Sequence, residues 1–291
     1  MMRAASFRRL GRHWNLFTTA TRYALIEHAR NRLALVLIAG FIPLWSVMAY
    51  MAVTTSRVHF QLRSTGRLVT PQGNHLTEIT GALNSVTLIV GFMMFAATFS
   101  GGHFDRRLSM AGYPRVHLVL AKLASLTLAA AAVCTYATAV TSCFWTPRQP
   151  IQLAAALFCA ALTYGALGVA LGSLLRREVE GMFTIVMISM IDLLLQNPIA
   201  SYGSNSSVIV RYLPSYGAMQ AGTAAGFTTT PLPRYLALQL LWFTAAAVIG
   251  LITFRTRTRT RAKARTPAPR HPDTAHTTPG PEAAQKNTTS T

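Results

Sequence analysis

The sequence predicts an all-α polytopic membrane protein with an N-terminal interfacial helix, six transmembrane helices, and re-entrant helices between spans five and six. Three observations carry this reading. Hydrophobic residues make up 51% of the 291-residue chain and charged residues only 12%, about half the roughly 25% usual in a soluble domain. Apolar runs close to the ~20 residues needed to cross a hydrocarbon core recur along the chain. Finally, the charged hinge Arg176-Arg177-Glu178-Val179-Glu180-Gly181 is pinned between two such runs, 153–175 and 182–195. A hinge that short marks a water face, and the chain must cross the bilayer on both sides of it.

The chain divides into three parts: a basic segment at 1–32, a six-span domain at 33–254 and a basic tail at 255–291. The first segment carries seven arginines around Trp14, Phe17, Thr21, Ala24 and His28, which recur at helical spacing, with Leu16, Ala20 and Tyr23 widening that face. Such a helix lies on an inner membrane surface, its rings in the headgroup layer and its arginines toward lipid phosphates. Its polar region is too long for a secretory signal. The expected spans are 33–53, kinked at Pro43, then 82–100, 123–144, 153–175, 182–197 and 236–254. The segment 54–81 reads as a polar connection. The connection 198–235 is too apolar for a solvated loop and is expected to dip into the membrane as short helices, one near 216–225. Gly168 and Gly172 form a GxxxG pattern in the fourth span, suited to close helix packing within the chain or between two chains. The tail begins with alternating arginines and threonines, then turns to Pro, Thr and Ala. It lacks the apolar content to bury anything and reads as disordered.

Basic residues set the orientation. With six spans, 21 of the 27 Lys and Arg fall on the side of the termini and the connections after spans two and four, and six on the other. Both termini are therefore expected in the cytoplasm and the protein in the plasma (inner) membrane. The formal charge of +19 reflects this topology. No aromatics interleave with the basic tail as a base-stacking surface needs, so no nucleic-acid partner is expected.

Catalytic chemistry is sparse. There is no G-x-x-x-x-G-K-[ST], so the chain has no P-loop route to ATP hydrolysis, and no H-E-x-x-H. All eight histidines lie outside the expected spans, which argues against an intramembrane protease. Cys134, Cys143 and Cys159 lack metal-site spacing and read as packing residues. No enzyme activity, metal or cofactor is expected. A single acid, Asp192, lies inside an expected span. It reads as a substrate or gate contact, or as an interface carboxylate paired with an outer-loop arginine.

The loop after span two is the most informative stretch. Phe104 and Leu108 share one helical face beside Asp105, Arg106 and Arg107, and Gly112, Pro114 and Arg115 form a break. This is a short amphipathic helix suited to a partner's groove. RRLSMAGYPRVHLVLAKLAS resembles the coupling segment of the integral membrane permeases of type-two ABC exporters, with matching positions at Arg107, Leu108, Pro114, Arg115 and Lys122. GSLLRREVEG, at 172–181, resembles that family's link between spans four and five. The resemblance covers roughly residues 14–254. Asp105 stands near the family's acidic position. The Asn-Pro-Leu often seen before the last span is missing, with Leu213-Pro214-Ser215-Tyr216 near its place.

The resemblance implies a permease that moves a hydrophobic drug, antibiotic or peptide outward. A separate ATP-binding subunit would hydrolyse ATP, and a second permease chain would complete the unit within membrane lipid. Coupling would fall to 104–108, Gly112, Pro114 and Arg115, with Arg176, Arg177, Glu178 and Glu180 nearby. The translocation path would be lined from spans two and five by Asn84, Ser85, Met93, Met94, Phe95 and Asp192. The alternative is a non-transporting anchor or sensor subunit of a membrane complex.

Overall fold

The computed structural model describes residues 2–53, 55–113, 115–196 and 208–263. Within them the chain is helical apart from short connections and one small hairpin. Five helical segments are long and apolar enough to cross a membrane: Ala34–Ala52, Gly73–Gly102, Leu120–Phe144, Pro150–Leu174 and Pro233–Thr253. This is the architecture of an all-α polytopic membrane protein. The 19-residue helix Glu178–Gln196, which holds the expected fifth span at 182–197 up to residue 196, is not among the five. Its 19 residues include Glu178, Glu180 and Asp192.

Helix α1, Met2–Arg30, buries Thr21 and His28 and packs along the third long helix. Trp14 and Tyr23 remain exposed. The chain then breaks at Asn31, whose side-chain oxygen accepts the Ala34 amide at 3.1 Å and so caps the next helix. That span is built in pieces: α2, Arg32–Val36, a wide π turn at Leu37–Phe41, and α3, Ile42–Ala52. The expected kink at Pro43 takes this form for a simple reason. Proline has no amide proton to give the carbonyl four residues back. That carbonyl belongs to Ala39, and the Tyr136 hydroxyl donates to it at 3.4 Å.

A two-stranded hairpin follows, β1 Phe60–Gln61 paired with β2 Leu68–Val69. Arg234 donates to the Ser64 carbonyl at 2.6 Å, tying this hairpin to the start of the last helix. Helix α4 then runs 38 residues, Gly73–Met110. The sequence reading placed a polar loop up to residue 81, and this is corrected: the loop's last turns belong to α4. They form helix because their polar side chains Asn74, Glu78 and Thr80 are buried against protein and not offered to lipid. Asp192 is therefore not the only acid within an apolar segment, and His75 also lies in one.

Helix α5, Arg115–Phe144, runs back along the bundle, and α6, Pro150–Leu174, reverses direction once more. Helix α7 is Glu178–Gln196, α8 is Tyr216–Phe227 and α9 is Pro233–Lys263. The last extends well past residue 254, through the alternating arginines; residues 264–291 lie outside the described residues. Helix α6 is the hub. A Cβ on Gly168 would meet the Gly91 carbonyl, and one on Gly172 would lie 2.9 Å from the Phe95 carbonyl oxygen, so the GxxxG face is used inside the chain, against α4. Contacts advance together along α4 and α6, which run parallel. Thr163 meets Gln239 and Ala170 meets Gly250, so α6 and α9 are parallel as well. Helix α7 lies antiparallel to α4, Ser189 at Asn84 and Gly181 at Phe95.

Candidate functional site

Two regions bring predicted residues together. The first is the turn between α4 and α5. Ala111 follows the last residue of α4, and Gly112 adopts φ 88°, a left-handed geometry that glycine enters without steric cost. Tyr113 then donates its amide to the Leu108 carbonyl at 3.0 Å. This is the Schellman closure of a helix end. Arg107 is exposed and Leu108 half-buried. Phe104, Asp105 and Arg106 fall in the last two turns of α4, and Arg115 begins α5; Pro114 lies outside the described residues. The Tyr113 hydroxyl donates to the Leu16 carbonyl of α1 at 2.6 Å. Sequence reasoning did not find this clasp between α1 and the turn, because nothing at residue 16 marks a partner 97 positions away.

The hinge before α7 lies at the same end of the bundle. Arg176, Arg177, Glu178 and Glu180 are all exposed. Arg177 and Glu180 approach at 3.7 Å, a solvent-facing pair worth little in stability. Glu178 and Glu180 occupy the first turn of α7, where negative charge suits the helix dipole. At this end, too, a cleft of about 370 Å³ lies between α1 and α4, lined by Tyr23, Glu27, Arg30 and Asn31 on one side and Ala96, Ala97 and Ser100 on the other.

The second region is a polar cluster in the half of the bundle nearer α8. Of the six path residues, Asn84 and Asp192 meet here. Asp192 is 4% exposed. The Tyr164 hydroxyl donates to one carboxylate oxygen, and the Gln196 amide donates to the other at 3.2 Å. The same amide reaches the Ser215 hydroxyl at 2.9 Å, and Ser215 precedes the first residue of α8. The expected arginine partner is replaced by these neutral donors. Ser189 donates to the Asn84 side-chain oxygen at 2.7 Å, stitching α7 to α4. Asn84, Tyr164, Ser189, Asp192 and Ser215 line a cavity of about 10 Å³, to which Thr80 and Thr87 also contribute.

The other path residues lie elsewhere. Ser85 is buried away from the cavity lining, its hydroxyl unpartnered. Met93 and Met94 pack in the main apolar core. Phe95 is enclosed by Gly168 and Gly172 of α6 and Gly181 of α7.

Three features escaped the sequence reading. Gln239, 0% exposed, donates to Thr163 at 2.8 Å and to the Pro214 carbonyl at 2.7 Å, and accepts the Ala218 amide at 3.0 Å. It thereby fixes α8 to α6 and α9. Glu78, 1% exposed, is flanked by Ser46 and Trp145 without a hydrogen bond of ordinary geometry to either carboxylate oxygen. Trp145 is sandwiched between His75 and Phe227, with ring centroids at 4.5 and 5.6 Å. The signal for the cluster was a helix-period polar stripe, Thr80, Asn84 and Thr87, inside an apolar run; for Gln239 it was a single amide in another. Polar side chains at such positions bridge helices.

Among the described residues no group of three or more His, Cys, Asp or Glu is placed to hold a metal. No protein-family profile and no curated protein matches the chain.

Proposed function

We propose that the chain is the permease subunit of an ATP-driven exporter, with ATP hydrolysed by a separate subunit docked on the α4–α5 turn. The observation that carries this is mechanical. At 1.5 Å per residue, α4 is about 57 Å long, against a hydrocarbon core of roughly 30 Å. The turn therefore stands clear of the apolar segment ending at Gly102, with Arg107 exposed and α1 clasped to it through Tyr113. A push there acts on two rigid helices and on α1 at once.

In this reading α7 is the fifth of six spans and α8 is a re-entrant helix before the sixth, since 12 residues are too few to cross. Both termini, the α4–α5 turn and the hinge at 176–180 face the cytoplasm. The weakly covered helices α3 and α9 meet lipid or a second permease chain. Cargo is a hydrophobic drug, antibiotic or peptide leaving along the polar cluster. The chain itself is no enzyme.

The test is mild detergent extraction of the tagged chain from its own membranes, with mass spectrometry of what co-purifies. A stoichiometric P-loop ATPase, lost when Arg107 and Arg115 are both replaced by Glu while the permease stays folded, is the expected result. A folded chain that carries no ATPase under any extraction condition overturns the proposal and leaves the anchor or sensor reading.

A further inference from the structure

We propose that the cavity among α4, α6 and α7 is a binding site for one dehydrated monovalent cation of sodium size. This goes beyond the exporter reading and does not rest on it.

The argument is a census of protons and lone pairs. Thr80 donates its hydroxyl proton to the Leu76 carbonyl at 3.0 Å, and Thr87 donates to the Asn84 carbonyl at 2.9 Å. Ser189 gives its proton to the Asn84 side-chain oxygen, and Tyr164 gives its own to Asp192. Each of these hydroxyls has thus committed its single proton elsewhere, and what it has left is lone pairs. Asp192 accepts from the Tyr164 and Gln196 side chains, and the Ser215 hydroxyl and amide also face its carboxylate, so what it brings to the cavity is negative charge, while the hydroxyls bring the lone pairs. The cavity therefore presents hydroxyl and amide-carbonyl oxygens beside the charge of Asp192, and no Lys, Arg or His lines it.

Hard cations take oxygen shells of this kind. Charge selects the valence. Asp192 is the only acid in the lining; one unit of positive charge neutralises it, whereas a divalent ion would leave an uncompensated charge in a buried site. Volume selects the size, because about 10 Å³ is the room of one water-sized particle.

The test is thermal unfolding of the purified full chain in detergent at constant ionic strength, with sodium, potassium or choline as the only cation. Ligand binding to the folded state alone raises the midpoint as its concentration passes the dissociation constant. A saturable rise is expected with sodium, weaker with potassium and absent with choline. Thr87→Val should weaken the apparent sodium affinity by about tenfold or more, and Asp192→Asn should abolish the response. Radioactive sodium binding to the wild-type chain supplies the same reading if Asp192→Asn fails to fold. Equal midpoints in all three salts, a sodium response that survives in folded Asp192→Asn, or a midpoint that follows pH alone in sodium-free buffer would each overturn the proposal. The last two outcomes assign the cavity to water or to a proton. None of these results bears on ATPase co-purification, so the two readings fail separately.

Discussion

Replacing Gln239 with Leu tests how α8 is held. Leucine is close to glutamine in volume, so the loss is of hydrogen bonds and not of packing. Thr163 keeps a partner, since its hydroxyl also donates to the Cys159 carbonyl at 2.9 Å. The Ala218 amide and the Pro214 carbonyl do not. Ala218 lies in the first turn of α8, where no intrahelical acceptor exists. Three side-chain hydrogen bonds at the ~0.6 kcal/mol average measured between membrane helices give about 2 kcal/mol. Two buried groups stranded at ~1–3 kcal/mol each put the upper end at ~6 kcal/mol. Equilibrium unfolding in mixed micelles, followed by tryptophan fluorescence, measures the difference. Thr163→Val removes one of the three Gln239 side-chain bonds together with the hydroxyl's own bonds to the Cys159 and Gln239 carbonyls, leaves both α8 contacts in place, and should cost less. Thr244→Val, on an exposed face of α9, should stay within about 0.5 kcal/mol of wild type. A Gln239→Leu protein as stable as Thr244→Val, or more stable than Thr163→Val, would refute the account of how α8 is fixed.

Gly168→Leu should be more damaging still, because the side chain must displace α4 backbone at Gly91 and Phe95 and not a flexible neighbour; loss of folded protein on size-exclusion chromatography is the readout, and a well-folded variant with wild-type mobility would show that α4 and α6 are not in backbone contact. His28 sets a pH dependence. Its burial and, second, the charge of Lys122 hold its pKa below the ordinary 6.5. The folded state thus binds fewer protons than the unfolded one, so stability is full above pH 6.5 and falls as pH drops from 6.5 toward the lowered folded value. His28→Gln should flatten that slope in thermal scans between about pH 5 and 7, and an unchanged slope would place its origin elsewhere.

The long apolar elements were legible because lipid-facing and core-facing residues are both apolar: the runs at 153–175 and 123–144 became α6 and most of α5, and the apolar patch at 216–225 became α8. The start of α4 was not legible. Hydropathy scores transfer into lipid, and Asn74, Glu78 and Thr80 are instead buried against protein, so a helix read as loop. The GxxxG pattern left two uses open, and the backbone contact of α6 with α4 assigns it to the chain's own packing. At the polar cluster, Asp192 and Asn84 stood out singly. Tyr164 and Gln196 did not, because a tyrosine or a terminal amide in an apolar run carries no mark of the carboxylate it serves. The Tyr113 clasp depends on a backbone carbonyl, which every residue possesses.

The wide turn before Pro43 makes the first span a helix with a phase slip. One surplus residue in a helix of 3.6 residues per turn advances everything on one side of it by about 100° relative to the other. The segment carrying α2 is thus indexed to a different rotational setting from α3. If the extra residue migrated along the rod, α2 would turn like a key while α3 stayed in its groove. The Tyr136 hydroxyl meets the Ala39 carbonyl at the slip itself.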